Sequence, residues 1–152
     1  MSAPFATGGC QCGAVRYALN AEPIGADFCH CRMCQRAVGN VFAAYADLNA
    51  ADVEWTRGAP ATFQSSSLGR RGFCASCGTP LTYEPADAPY LSVTIGSLDD
   101  PDLVPIKVHN GIEGKVAWVS INDDVPQRRT GDTAASAERL TGLVSHQAGD
   151  GA

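Results

Sequence analysis

Cys29-His30-Cys31-Arg32-Met33-Cys34 places three thiols in one short stretch, and two further cysteine pairs frame it, Cys10/Cys12 upstream and Cys74/Cys77 downstream. Seven cysteines in close pairs and one close trio read as metal ligands, because an odd count defeats complete disulfide pairing. Four thiolates around one zinc ion close its coordination shell and stabilise a fold. Three remain, and three is the ligand count of a zinc ion with an open position.

The composition bounds what such a chain can be. Its 152 residues are the size of one domain, with 45% hydrophobic and 18% charged residues, an ordinary globular balance. Sixteen glycines and nine prolines spread along the chain predict many turns and short strands, hence a mostly β fold. The formal charge of −5 becomes more negative if the thiols ionise, which argues against nucleic acid as a partner. The N-terminal Met1–Thr7 stretch has neither a basic region nor an apolar run, and no segment resembles a membrane span. A cytoplasmic location away from membranes is therefore expected, and a reducing compartment favours metal-bound thiols over disulfides.

Outward from the trio, Asn20 to Asp27 reads as a loop delivering Phe28 and the cysteines, and Cys31 to Val38 as a short helix ended by Gly39. Gly8-Gly9-Cys10-Gln11-Cys12-Gly13 reads as a tight turn ahead of a strand over 14–19. Strands are further predicted over 41–48, 53–55, 61–64, 81–83 and 90–95, with weaker ones over 104–108 and 115–121, the last carrying Trp118. Trp55 and Trp118 are expected in the core. Residues 1–126 form the expected zinc domain. Residues 127–152 are polar and read as a flexible C-terminal tail, in which a helix over 134–144 competes with plain mobility.

Pairing Cys10/Cys12 with Cys74/Cys77 on one zinc ion would clip the first strand to the middle of the chain, although Cys29 or Cys31 could complete a site with either pair. Three readings of Cys29, Cys31 and Cys34 stay open. One is a second closed zinc with His30, His109 or a carboxylate as fourth ligand, although His30, set between two ligands, should project away from the ion. A second is a metal-free redox trio. The third is a zinc ion with one exchangeable position. Three thiolates leave zinc a weak Lewis acid with affinity for soft ligands, so an open site suits an incoming thiol held beside a small carbonyl. Asp27, His30 and His109 are the candidates for proton handling, each also readable as a structural hydrogen-bond partner.

Gly8-Gly9-Cys10-x-Cys12-Gly13-x-Val15-Arg16-Tyr17, Cys29-His30-Cys31-x-x-Cys34 and Phe73-Cys74-x-x-Cys77-Gly78-Thr79-x-Leu81 resemble the glutathione-dependent formaldehyde-activating family, also called the centromere protein V domain family. The likeness runs on through Gly96–Asp99, His109, Lys115 and Trp118 and covers about residues 5 to 126, with Asn110 standing where the family commonly has an apolar or aromatic residue. The resemblance implies a zinc-stapled β-tent in a single domain. It implies a structural zinc on Cys10, Cys12, Cys74 and Cys77 and a catalytic zinc on Cys29, Cys31 and Cys34. It also implies a carbon-sulfur lyase of the S-(hydroxymethyl)glutathione synthase type, with glutathione as the thiol and formaldehyde or a similar aldehyde as partner. The alternative is a non-catalytic zinc module that serves structure or protein interaction. Oligomeric state is not expressed in the sequence.

The thiol count makes a first prediction. Metal analysis of the purified protein should return two zinc ions per chain; a reproducible value of one, with three cysteines open to alkylation, would remove the second site.

Overall fold

Short apolar runs punctuated by glycine, proline and Asx turns produce strands of three to seven residues in the computed structural model, which describes residues 2–144. In chain order these are β1 (Ala6–Gly9), β2 (Arg16–Leu19), β3 (Gly25–Cys29), β4 (Ala43–Asn49), β5 (Val53–Arg57), β6 (Ala61–Ser66), β7 (Gly69–Phe73), β8 (Pro80–Pro85), β9 (Tyr90–Thr94) and β10 (Val108–Asn110). Two helices join them, α1 (Arg32–Val38) and α2 (Ala134–Leu140). The mostly β class expected from composition is what forms.

The strands make two sheets, β1-β2-β5 and β10-β3-β4-β9-β8-β7-β6. All pairs are antiparallel except β10 with β3. In the larger sheet Ala26, Ala46, Leu48, Leu91 and Val93 alternate onto one face and join Tyr17 and Leu19 of the smaller sheet in a single buried cluster. Trp55 packs against this cluster with its ring 5.7 Å from that of Tyr17, edge to face. The opposite face of the larger sheet carries the polar residues described below.

Several local expectations change. Residues 25–29, expected in part as loop, form β3, because partners on both sides supply ladder hydrogen bonds that outweigh the poor strand propensity of Gly25 and Ala26. The turn at the first cysteine pair begins only at Cys10, with Gly8 and Gly9 inside β1. The strand expected over 104–108 is confined to Val108–Asn110, since Pro105 cannot donate to a ladder. Residues 115–121 form turns instead of a strand: Lys115 Nζ donates to the carbonyls of Val116 (3.1 Å) and Val119 (2.5 Å), which curls the segment. Trp118 is consequently 75% exposed, contrary to the core assignment.

The polar C-terminal stretch makes specific contacts over its described part, residues 127–144. Gln127 bridges His109, Arg128 N–H donates to the His109 carbonyl at 2.7 Å, and Thr130 N–H reaches Glu113 at 3.0 Å. The helix within it, α2, starts at Thr133, whose hydroxyl accepts from Ser136 N–H at 3.1 Å, and stops at Leu140. Arg139 grips Asp87 with two hydrogen bonds of 2.8 and 2.7 Å, and Val144 exchanges two hydrogen bonds with Ser67. Backbone and charged contacts thus tie down a segment too poor in apolar residues to be held by burial. Residues 145–152 of the expected tail lie outside the described residues.

Gly8 shows how closely the small sheet is built. An added Cβ there would overlap the Tyr17 hydroxyl and lie 2.6 Å from the Ser97 carbonyl oxygen. Gly8→Ala should therefore lower stability by about 1–3 kcal/mol, read as a reduced urea midpoint with an unchanged slope.

Candidate metal centres

Four cysteines converge from two turns that belong to different sheets. Cys10 and Cys12 lie between β1 and β2, and Cys74 and Cys77 between β7 and β8. Gly13 and Gly78 each follow the second thiol of a pair with φ of 78° and 79°, a conformation that glycine adopts without Cβ strain. The four sulfurs all lie within 4.8 Å of one another, with Cys10–Cys12 at 3.6 Å and Cys12–Cys74 at 3.8 Å. Those separations match the edge of a zinc-thiolate tetrahedron, about 3.8 Å for bonds of about 2.3 Å. The donors around them suit thiolates: Val15 N–H points at Cys10 Sγ (3.2 Å), and the Thr79 hydroxyl, aided by its backbone amide, draws Cys77 down to about 5.

The second group, Cys29, Cys31 and Cys34, also has its three sulfurs within 4.8 Å of one another. Cys29 ends β3, Cys31 caps α1 and Cys34 lies in its first turn, where its backbone N–H donates to Cys31 Sγ at 3.3 Å. Cys31 is drawn down to about 3, first by the Cys29 thiol, then by Cys34 and by Arg71, against its burial. The same sulfur contacts push Cys29 far up.

No fourth protein ligand completes the trio among the described residues. His30 does project away, as its place between two ligands predicted: it is buried, and its Nε2 meets His109 Nδ1 at 3.0 Å. His109 Nε2 in turn meets both oxygens of Asp123 at 3.1 Å. A carboxylate can only accept, so His109 Nε2–H donates to Asp123 and His109 Nδ1 accepts from His30 Nε2–H. Both ring nitrogens of His109 are thereby committed, and His30 Nδ1 is left as a buried atom without a partner. The Phe28 and Phe42 rings cover this pair, at 5.5 Å from His109 and 5.4 Å from His30.

The trio faces a cavity of about 270 Å³ on the polar side of the larger sheet. Register explains its lining. Asp27 opposes Tyr45, Asp47 opposes Ser92, Ser92 opposes Tyr83 and Tyr83 opposes Arg71, so these side chains share the face that carries Cys29. Burial raises Asp27 to about 7, partly offset by a 3.0 Å hydrogen bond from Asn110. Asp47 is also raised by burial, while Ser92 donates to it at 2.5 Å. Asn110 is thus the partner of a buried carboxyl.

Arg71 is a site residue that reading the sequence does not single out. It is buried, its Nε donates to Ser65 (2.8 Å), one terminal nitrogen donates to the Tyr45 hydroxyl (2.8 Å), and the other reaches Cys34 Sγ at 3.5 Å. Its guanidinium also lies 4.9 Å from the centre of the Tyr83 ring. It forms no ion pair with a carboxylate among the described residues, so its counter-charge is the thiolate group. The signal in the sequence was phase: Arg71 stands two residues before Phe73, on the strand that enters the second cysteine pair.

Residues 5–111 match the family model described as glutathione-dependent formaldehyde-activating enzyme. A crystal structure of a Rhodobacter sphaeroides protein, a structural-genomics target, superposes with a TM-score of 0.51 at 25% identity, covering 66% of this chain and 96% of its own. Among curated proteins, none matches the chain significantly.

The buried guanidinium makes a prediction. Arg71→Met should weaken metal retention by the three-cysteine group by about 10–100-fold, measured by chelator competition, while the four-cysteine group keeps its ion. Arg71→Lys should recover only part of the loss, because an ammonium cannot span Ser65, Tyr45 and Cys34 together.

Proposed function

The chain belongs to the glutathione-dependent formaldehyde-activating enzyme family, and on that premise we propose that it is a zinc-dependent carbon-sulfur lyase that condenses a thiol with formaldehyde or a similar small carbonyl. Glutathione is the thiol that the family name points to. Cys10, Cys12, Cys74 and Cys77 would hold a structural zinc ion, and Cys29, Cys31 and Cys34 a catalytic one. The observation that carries the reading is the contrast between them: four sulfurs meet as a closed set, while three face a cavity with no fourth protein donor among the described residues.

Bound on the trio, zinc would supply an open coordination position where an incoming thiol gives up its proton and is held beside the carbonyl. The condensation itself makes one sulfur–carbon bond, breaks the carbonyl π bond and leaves the thiol proton on oxygen. Arg71 offsets the negative charge of three thiolates, and its hydrogen bonds to Ser65 and Tyr45 keep that charge in place. Asp27, buried on the cavity wall and raised to about 7, can take up or hand over the proton. Because thiols add to formaldehyde readily, holding the two reactants together is the main contribution asked of the site.

The test is magnetisation-exchange NMR of glutathione and formaldehyde in equilibrium with their adduct. Exchange should accelerate with the native protein and return to the uncatalysed rate with Cys34→Ser, whose circular dichroism should remain close to native. Cys74→Ser should instead lose the folded signal, since metal binding at a structural site is part of the folding free energy. Absence of any acceleration by fully zinc-loaded protein would overturn the lyase assignment and leave a structural zinc module.

A further inference from the structure

We propose that Arg128 and Arg129 form an anion subsite that receives a carboxylate of the thiol substrate; this rests on the thiol-condensing reading above and adds to it the chemical class of the substrate's other end. Cys29 and Cys31 open on a second cavity, of about 260 Å³, that shares these two thiols, Asn110, Thr130 and Ser136 with the first and adds Arg128 and Arg129. A ligand with its sulfur at the cysteines therefore has two directions in which to lay its body.

Charge separates the two directions. The first cavity carries the carboxyls of Asp27 and Asp47, and both of its arginines are engaged, Arg71 by Ser65, Tyr45 and Cys34 and Arg139 by Asp87. Neither Arg128 nor Arg129 forms an ion pair among the described residues. The acids near them are engaged by backbone and hydroxyl groups: Glu113 accepts from Thr130 N–H (3.0 Å) and from its hydroxyl, and Asp132, which also lines the cavity, accepts from Arg129 N–H at 2.8 Å. In a chain of net charge −5, two guanidiniums without an ion pair beside a three-thiol group, of which Arg129 acts on Glu113 only through its field, are a local exception that would draw an anionic group.

The backbone holds these arginines in place. Arg128 N–H donates to the His109 carbonyl at 2.7 Å and its carbonyl accepts from Ile112 N–H at 3.0 Å, so Arg128 is fastened beside β10, next to Asn110. Both arginines lie beyond residues 5–111, the extent of the family match. The subsite thus belongs to this chain's own C-terminal segment.

The experiment is a cobalt-substituted protein titrated with mercaptoethanol, 3-mercaptopropionate and glutathione, reading the sulfur-to-cobalt charge-transfer band. The carboxylate-bearing thiols should bind more tightly than mercaptoethanol, and the double variant Arg128→Gln/Arg129→Gln should lose about tenfold of that preference with mercaptoethanol affinity unchanged. Two results would overturn the subsite while leaving the thiol reading intact: a preference that survives the double substitution, or no preference in the native protein. A parallel fall in mercaptoethanol affinity would also overturn it, since the arginines would then be acting on the cysteine group. If no thiol perturbs the band, the thiol-condensing reading fails and the subsite with it.

Discussion

The pleat of the seven-stranded sheet sends successive side chains to opposite faces, and the site exists because that alternation keeps phase across neighbouring strands. Ala26, Ala46 and Val93 go to one side and bury against the small sheet. Asp27, Tyr45 and Ser92, their immediate chain neighbours, go to the other and line the cavity. A one-residue slip of β3 against β4 would put Asp27 and Cys29 into the apolar core and Ala26 and Phe28 in the cavity. The pairing of β3 on both sides, with β4 and β10, opposes that slip.

A second constraint is charge balance in a place with little water. Three sulfurs close together cannot all ionise cheaply, and their mutual contacts draw Cys31 down while they push Cys29 up. A buried arginine without a carboxylate partner would be costly by itself. Each feature is explained by the other: the thiolate group is the counter-ion of Arg71, and Arg71 is what lets thiolates sit on a mostly enclosed wall.

Much of the chemistry could be read from spacing, and much of the packing could not. The seven cysteines fall into the groups expected, since thiols two or three residues apart in a tight turn can hardly avoid approaching one another. The strand over 90–95 was readable because Leu91 and Val93 alternate with polar neighbours. Residues 115–121 show an apolar pattern of the same kind but have no sheet edge to join, and Lys115 curls them into turns. Arg71, Tyr45 and Asp47 could be assigned to the site only by knowing which strand opposes which, and that is long-range information. The segment from 127 to 144 has few large apolar residues, and its hydrogen bonds to His109, Glu113, Asp87 and Ser67 are long-range contacts that composition does not carry.

Cys31 serves two masters. Its sulfur belongs to the trio, and the same atom accepts the Cys34 amide as the cap of α1, a helix of seven residues closed at Gly39 in the left-handed conformation. A helix that short does not persist in water without outside support. Its ordering is therefore tied to the placement of one sulfur, so that α1 and the cysteine group form a single cooperative unit within the domain. Oxidation or alkylation of Cys31 would remove ligand and cap in one event, and amide hydrogen exchange along 32–38 would register chemical damage to a site that has no chromophore of its own.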